Sequence, residues 1–107
     1  MGYYITDNGV KHELDLNETH LFLTSMNIVE LNLDGMRNLK YLSCWNNRIT
    51  ELNLSGLKLI NLYCHYNNIK NLNIDGLKKL ENMWCDNDLI DEWKYINSNI
   101  NINIIIR

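Results

Sequence analysis

The chain is 107 residues long, with 13 acidic against 10 basic side chains and a net charge of −3. That length makes one domain, and the acidic balance argues against nucleic acid or an anionic membrane as the partner. No apolar run approaches the roughly 18 residues that cross a bilayer, and no basic stretch leads into an apolar one at the start, so a soluble, cytoplasmic protein is expected.

The first predicted element is a hairpin. Residues 3–7 and 10–16 flank Asn8-Gly9, a pair that tolerates positive φ and marks a tight turn. Pairing across a two-residue turn puts Tyr3 and Ile5 on the face of Leu14, toward the chain that follows. Residues 1–17 are therefore read as an N-terminal cap. A degenerate unit comes next, with Leu21, Leu23, Ile28, Leu31 and Leu33 at spaced apolar positions and Met26 at a position where later units carry Asn.

Three fuller copies of a 20- or 21-residue unit then succeed one another. Leu39, Leu42, Cys44, Asn47, Ile49, Leu52 and Leu54 recur as Leu59, Leu62, Cys64, Asn67, Ile69, Leu72 and Ile74. They recur again as Leu80, Met83, Cys85, Asp88, Ile90, Trp93 and Tyr95. Gly35, Gly56 and Gly76 add a turn marker to each. Such a period signals a stack of coils in which no single coil can bury its own apolar face. Beyond the repeats, 18–95, the alternation of Ile100, Ile102 and Ile104 predicts a terminal strand within 96–107.

The unit resembles the leucine-rich repeat in its short form, LxxLxCxxNxIxxLxL. The resemblance implies a mostly β solenoid with parallel strands on two faces, a hairpin at one end and a covering strand at the other. Leu42-Ser43-Cys44 and its equivalents should form the first sheet. Leu31-Asn32-Leu33, Leu52-Asn53-Leu54 and Leu72-Asn73-Ile74 should form the second face. With Leu42 and Cys44 pointing in, strand alternation turns Tyr41, Ser43 and Trp45 out. A coil this short has no room for a helix of several turns.

Several residue types could carry chemistry. The cysteines fall one per coil at the same inward position, with no Cys-x-x-Cys spacing and no His at ligand spacing, so they read as small buried hydrophobes and no metal is expected. Asn47 and Asn67 should lie inside and satisfy turn backbone. Asp88, when ionised, can accept but cannot donate in that role. His65 and Asp86 share an outward column and could form a proton-transfer pair, but no nucleophile, metal or cofactor accompanies them. His12 and His20 are assigned to the cap region with no partner. Arg37, Lys58 and Lys78 each follow a turn glycine by two residues and read as a small solvated basic column. The run Glu81 to Glu92 holds Glu81, Asp86, Asp88, Asp91 and Glu92 and no basic residue, and would favour a partner with a basic rim.

The outward columns of the first sheet read Phe22, Ser43, Tyr63, Trp84, then Thr24, Trp45, His65, Asp86, and before them His20, Tyr41, Asn61, Asn82. Aromatic rings flanked by polar groups on a solvent-facing sheet are the composition of a binding patch. The family it resembles usually binds through this face. The expected contact residues are Phe22, Tyr41, Trp45, Tyr63, His65, Trp84 and Asp86, with Tyr66 at the rim. The resulting reading is a non-catalytic protein-binding module, monomeric or weakly dimeric. The frequent Asn and Ile and the absence of proline suggest a low-GC genome, and hence a stoichiometric inhibitor of a bacterial defence enzyme encoded by a phage or mobile element. Self-association through open ends is the alternative, and catalysis by His65 and Asp86 the third.

Overall fold

The computed structural model describes residues 1–74 and 76–86, and the backbone of 103–106. Among these residues there are strands and turns and no helix. In chain order the strands are β1 Tyr3–Thr6, β2 Lys11–Glu13, β3 His20–Phe22, β4 Ile28–Asn32, β5 Tyr41–Ser43, β6 Asn61–Tyr63, β7 Asn82–Cys85 and β8 Asn103–Ile106.

Five of them form a parallel sheet in the order β3-β5-β6-β7-β8. The register follows the sequence period: Leu21 lies beside Leu42, Leu42 beside Leu62, and Leu62 beside Met83. The inward residues consequently stack by type. Leu42, Leu62 and Met83 are buried, as are Cys44, Cys64 and Cys85 one pleat on and Leu39, Leu59 and Leu80 before them. Ile49 and Ile69, Leu52 and Leu72, and Leu54 and Ile74 close the same core from the opposite side. Strands of three or four residues have little intrinsic stability. They persist because each adds an inward side chain to a continuous buried column.

The second face differs from the expectation of parallel strands. Residues 51–54 and 71–74 form no strand. Among the described residues the one strand there is β4, and it pairs antiparallel with β1 to give a separate three-stranded sheet, β2-β1-β4. The side-chain carboxamides of that face bond locally instead: Asn32 Oδ1 accepts from the Asp34 N–H at 2.9 Å and Asn53 Oδ1 from the Ser55 N–H at 3.0 Å. These Asx turns offer the backbone an alternative to a ladder.

The hairpin is also one residue out from its expected register. Ile5 pairs with Lys11, Tyr4 with His12 and Tyr3 with Glu13. Its loop has three residues, Asp7-Asn8-Gly9. The Gly9 N–H donates to Thr6 O at 2.9 Å, and Gly9 sits at φ +81°. A type I turn closed by a left-handed glycine gives this loop, and a single-residue change of register exchanges the faces of a strand. Tyr4 and Leu14 therefore pack on the core, not Tyr3 and Ile5. The Tyr3 hydroxyl instead donates to Glu30 at 2.6 Å, and the Lys11 ammonium lies 4.3 Å over its ring.

At the far end β8 pairs in parallel with β7, Met83 opposite Ile104. The repeat positions assigned to Asp88, Ile90, Trp93 and Tyr95, and the beginning of the terminal strand at Ile100 and Ile102, lie outside the described residues.

Candidate protein-interaction face

The turns that follow β5 and β6 are built from asparagine. Asn47 Oδ1 accepts from the N–H groups of Met26 and Ile28, both at 3.0 Å, while its Nδ2 donates to Leu23 O at 2.8 Å and Cys44 O at 2.9 Å. One buried carboxamide thus ties its own turn to the preceding coil. Asn67 repeats the pattern, accepting from the Ile49 N–H at 3.0 Å and donating to Cys44 O and Cys64 O at 2.9 and 3.2 Å. It is half-buried where Asn47 is buried. Met26, in the first unit, leaves this work to Asn47.

The same turn demands a left-handed residue. Ser25, Asn46 and Tyr66 occupy equivalent places at φ 57°, 57° and 56°. Asn tolerates that conformation, whereas a bulky aromatic seldom adopts it. The Asn46 and Asn47 N–H groups donate to His65 O and Tyr66 O of the next coil. One coil along, the Asp86 carboxylate takes over this part: Oδ1 accepts from the Tyr66 N–H at 2.6 Å and Oδ2 from the Asn67 N–H at 3.2 Å.

The outer side of the parallel sheet carries a continuous path of rings. Phe22 lies 5.2 Å from Tyr41 between centroids, Tyr41 lies 5.5 Å from Tyr63, and Tyr63 meets Trp84 edge-on at 6.5 Å. Trp84 stacks on His65 at 4.1 Å, His65 stacks on Trp45 at 4.9 Å, and Tyr66 meets both Trp45 and His65 edgewise. Parallel strands ~4.8 Å apart bring rings in one column within stacking range. Phe22 and Tyr66 are the most open members, at 69% and 53% exposure.

The expected site residues therefore divide. Phe22, Tyr41, Trp45, Tyr63 and Trp84 lie on one surface in ring contact. His65 does not stand out from it: only 3% exposed, it fills the slot between two indoles. Asp86 is half-buried, and its carboxylate braces backbone. His20, assigned to the cap region without a partner, stacks on Tyr41 at 5.7 Å and on Phe22 at 6.3 Å. Its column position beside Tyr41 was the signal that could have placed it. His12 stacks on Tyr4 at 4.7 Å.

Beneath the face, Cys44, Cys64 and Cys85 are buried and form no disulfide. Burial alone pushes the Cys44 thiol up to about 12. Burial, with the neighbouring thiols adding to it, holds Cys64 well above its ordinary value. Neutral thiols of this kind pack as hydrophobes.

No protein-family model and no curated protein sequence matches the chain. Among solved structures, the functional domain of InlJ from Listeria monocytogenes, a leucine-rich-repeat internalin, superposes with a TM-score of 0.69 at 24% identity. The match covers 89% of this chain and 22% of that one. That domain is described as including a cysteine ladder. The chain spans about a fifth of the length of that domain, and the likeness assigns it a leucine-rich-repeat-like fold.

Proposed function

We propose that the chain is a non-catalytic solenoid module that binds another protein through its aromatic sheet face, with Phe22, Tyr41, Trp45, Tyr63 and Trp84 as the principal contacts and Tyr66 and His20 at the margins. The unbroken path of rings across the parallel strands carries this reading. Rings on one rigid sheet offer large contact area at low entropic cost, the character of binding hot spots. His65 and Asp86 are engaged in packing and in bracing a turn, which supports a binding role for the face over a catalytic one. The low-GC composition supports a narrower version, a stoichiometric inhibitor of a bacterial defence enzyme encoded by a phage or mobile element and acting in the cytoplasm.

The test is a pull-down from the native host followed by a dissociation constant for the purified partner. Phe22→Ala and Trp84→Ala should each weaken binding, Trp84→Ala by at least ~2 kcal/mol, as buried interface tryptophans commonly do. Glu51→Ala, an exposed change on the other side, should stay within ~0.5 kcal/mol of wild type. If the partner binds Phe22→Ala and Trp84→Ala undiminished, the rings only stiffen the sheet.

A second reading rests on β8, the last strand of the five-stranded sheet. An edge strand of sequence Asn-Ile-Ile-Ile can template pairing with another copy. A mass in solution that rises with concentration and is insensitive to Trp84→Ala would favour it.

A further inference from the structure

A groove of about 360 Å³ lies at the N-terminal ends of the parallel strands, lined by Arg37, Lys40, Lys58, Lys79, Thr19, Asn38 and Ile60. Four of the ten basic residues of a net acidic chain meet there, with no carboxylate among the described lining residues. The strand register explains the convergence. Counting back three residues from the paired Tyr41, Asn61 and Asn82 gives the column Asn38, Lys58, Lys79. Counting back one gives Lys40, Ile60 and Glu81, preceded by Thr19. The loop after Gly56 is one residue shorter than those after Gly35 and Gly76, so Lys79, not Lys78, aligns with Lys58. Adjacent members of a column sit one strand spacing apart, ~4.8 Å, in a range where like charges repel. None of the four cations forms an ion pair among the described residues; the one such pair is Arg48 with Asp7, at 3.6 Å.

We propose that this groove binds a small oligophosphate, a compact oxyanion carrying several negative charges. A monocarboxylate would neutralise one of four cations. A linked pair or triplet of phosphoryl groups answers several at once through charge-assisted hydrogen bonds. Glu81 continues the Lys40 column beyond Ile60. A long polyanion running along that column would meet a carboxylate there, so the site favours a compact ligand over a nucleic acid strand.

Calorimetric titration of the whole chain with sodium tripolyphosphate, at constant ionic strength, tests the assignment. Wild type should bind one equivalent. The double variant Lys58→Glu, Lys79→Glu should weaken binding at least about tenfold, as should Arg37→Ala with Lys40→Ala, since hydrogen bonds to charged groups are worth that much. Lys70→Glu, outside the groove, and Trp84→Ala, on the aromatic face, should leave affinity unchanged, so failure here is separable from failure of the protein-binding reading. Absence of binding by wild type, or wild-type affinity in both groove variants, overturns the proposal. So does tighter binding of a single-stranded oligonucleotide through the same four residues, which would make the groove a nucleic-acid site.

Discussion

Asn47 and Tyr66 show opposite uses of the same turn. Asn47 meets two donors and three acceptors inside the protein, and a smaller side chain would leave those backbone groups without this partner. Asn47→Ala should lower stability in urea by ~1 to 3 kcal/mol, with a smaller loss for half-buried Asn67→Ala and almost none for exposed Asn68→Ala. Tyr66, by contrast, holds a left-handed backbone that Ser25 and Asn46 occupy more comfortably. Tyr66→Asn should therefore raise stability by about 0.5 to 1 kcal/mol, part of the ~1 to 2 kcal/mol that this conformation costs being offset by the lost ring contacts. If the strain is retained for binding, the same variant should bind its partner more weakly. The cysteine column gives a prediction in pH. Below the ordinary thiol value of 9.0, both folded and unfolded chains keep the Cys44 proton. Between there and about 12 the unfolded thiol ionises while the folded one does not. The unfolded chain then binds fewer protons, and stability should fall with rising pH by up to ~1.4 kcal/mol per unit from this group. Iodoacetamide should accordingly leave the native thiols unmodified and label them on unfolding.

At the level of elements, the hairpin depends on its loop. Nothing lies within 4 Å of where a Gly9 Cβ would stand, so Gly9→Ala meets no clash and its cost is purely conformational. With φ at +81° that cost is ~1 kcal/mol, readable as a lower urea midpoint. The β1 strand it positions is paired on both edges, with β2 and with β4. The hairpin covers the core through Tyr4 and, just after β2, Leu14, so a disturbed loop should propagate to Ile28 and Leu31 and raise amide exchange along β4. The short parallel strands behave differently. Their stability lies in the columns that join them, and a change in one coil is felt by the next.

Across the whole molecule the parallel sheet acts as a ruler. It converts a spacing of 20 or 21 residues in sequence into ~4.8 Å in space, which assembles both the path of rings and the cluster of four cations from residues far apart in the chain. The two surfaces occupy different parts of the same sheet: the rings lie along its outer side, and the basic groove lies before the strands begin. No helix among the described residues is long and apolar enough to cross a membrane.

The inward leucines and cysteines, the parallel register and the buried turn asparagine were legible in the sequence because they follow from a local period that each coil repeats. Outward aromatics on the first sheet were legible for the same reason, through strand alternation. Other features depended on the assembled structure. Whether Asn8-Gly9 made a two- or three-residue loop decided which hairpin face met the core, and packing against the buried cluster of the coils selects Tyr4 and Leu14. His65 shares a column with Trp45 and reads as exposed, yet Trp84 from the next strand leans across it and shuts it in. Asp86 reads as surface charge, but it stands where the turn of the preceding coil needs acceptors. The alignment of Lys58 with Lys79 rests on a loop shortened by one residue, which only the pairing of the strands that follow makes visible. Local periodicity sets which residues face inward. Contacts between neighbouring coils, which no single repeat contains, decide what the outward ones do.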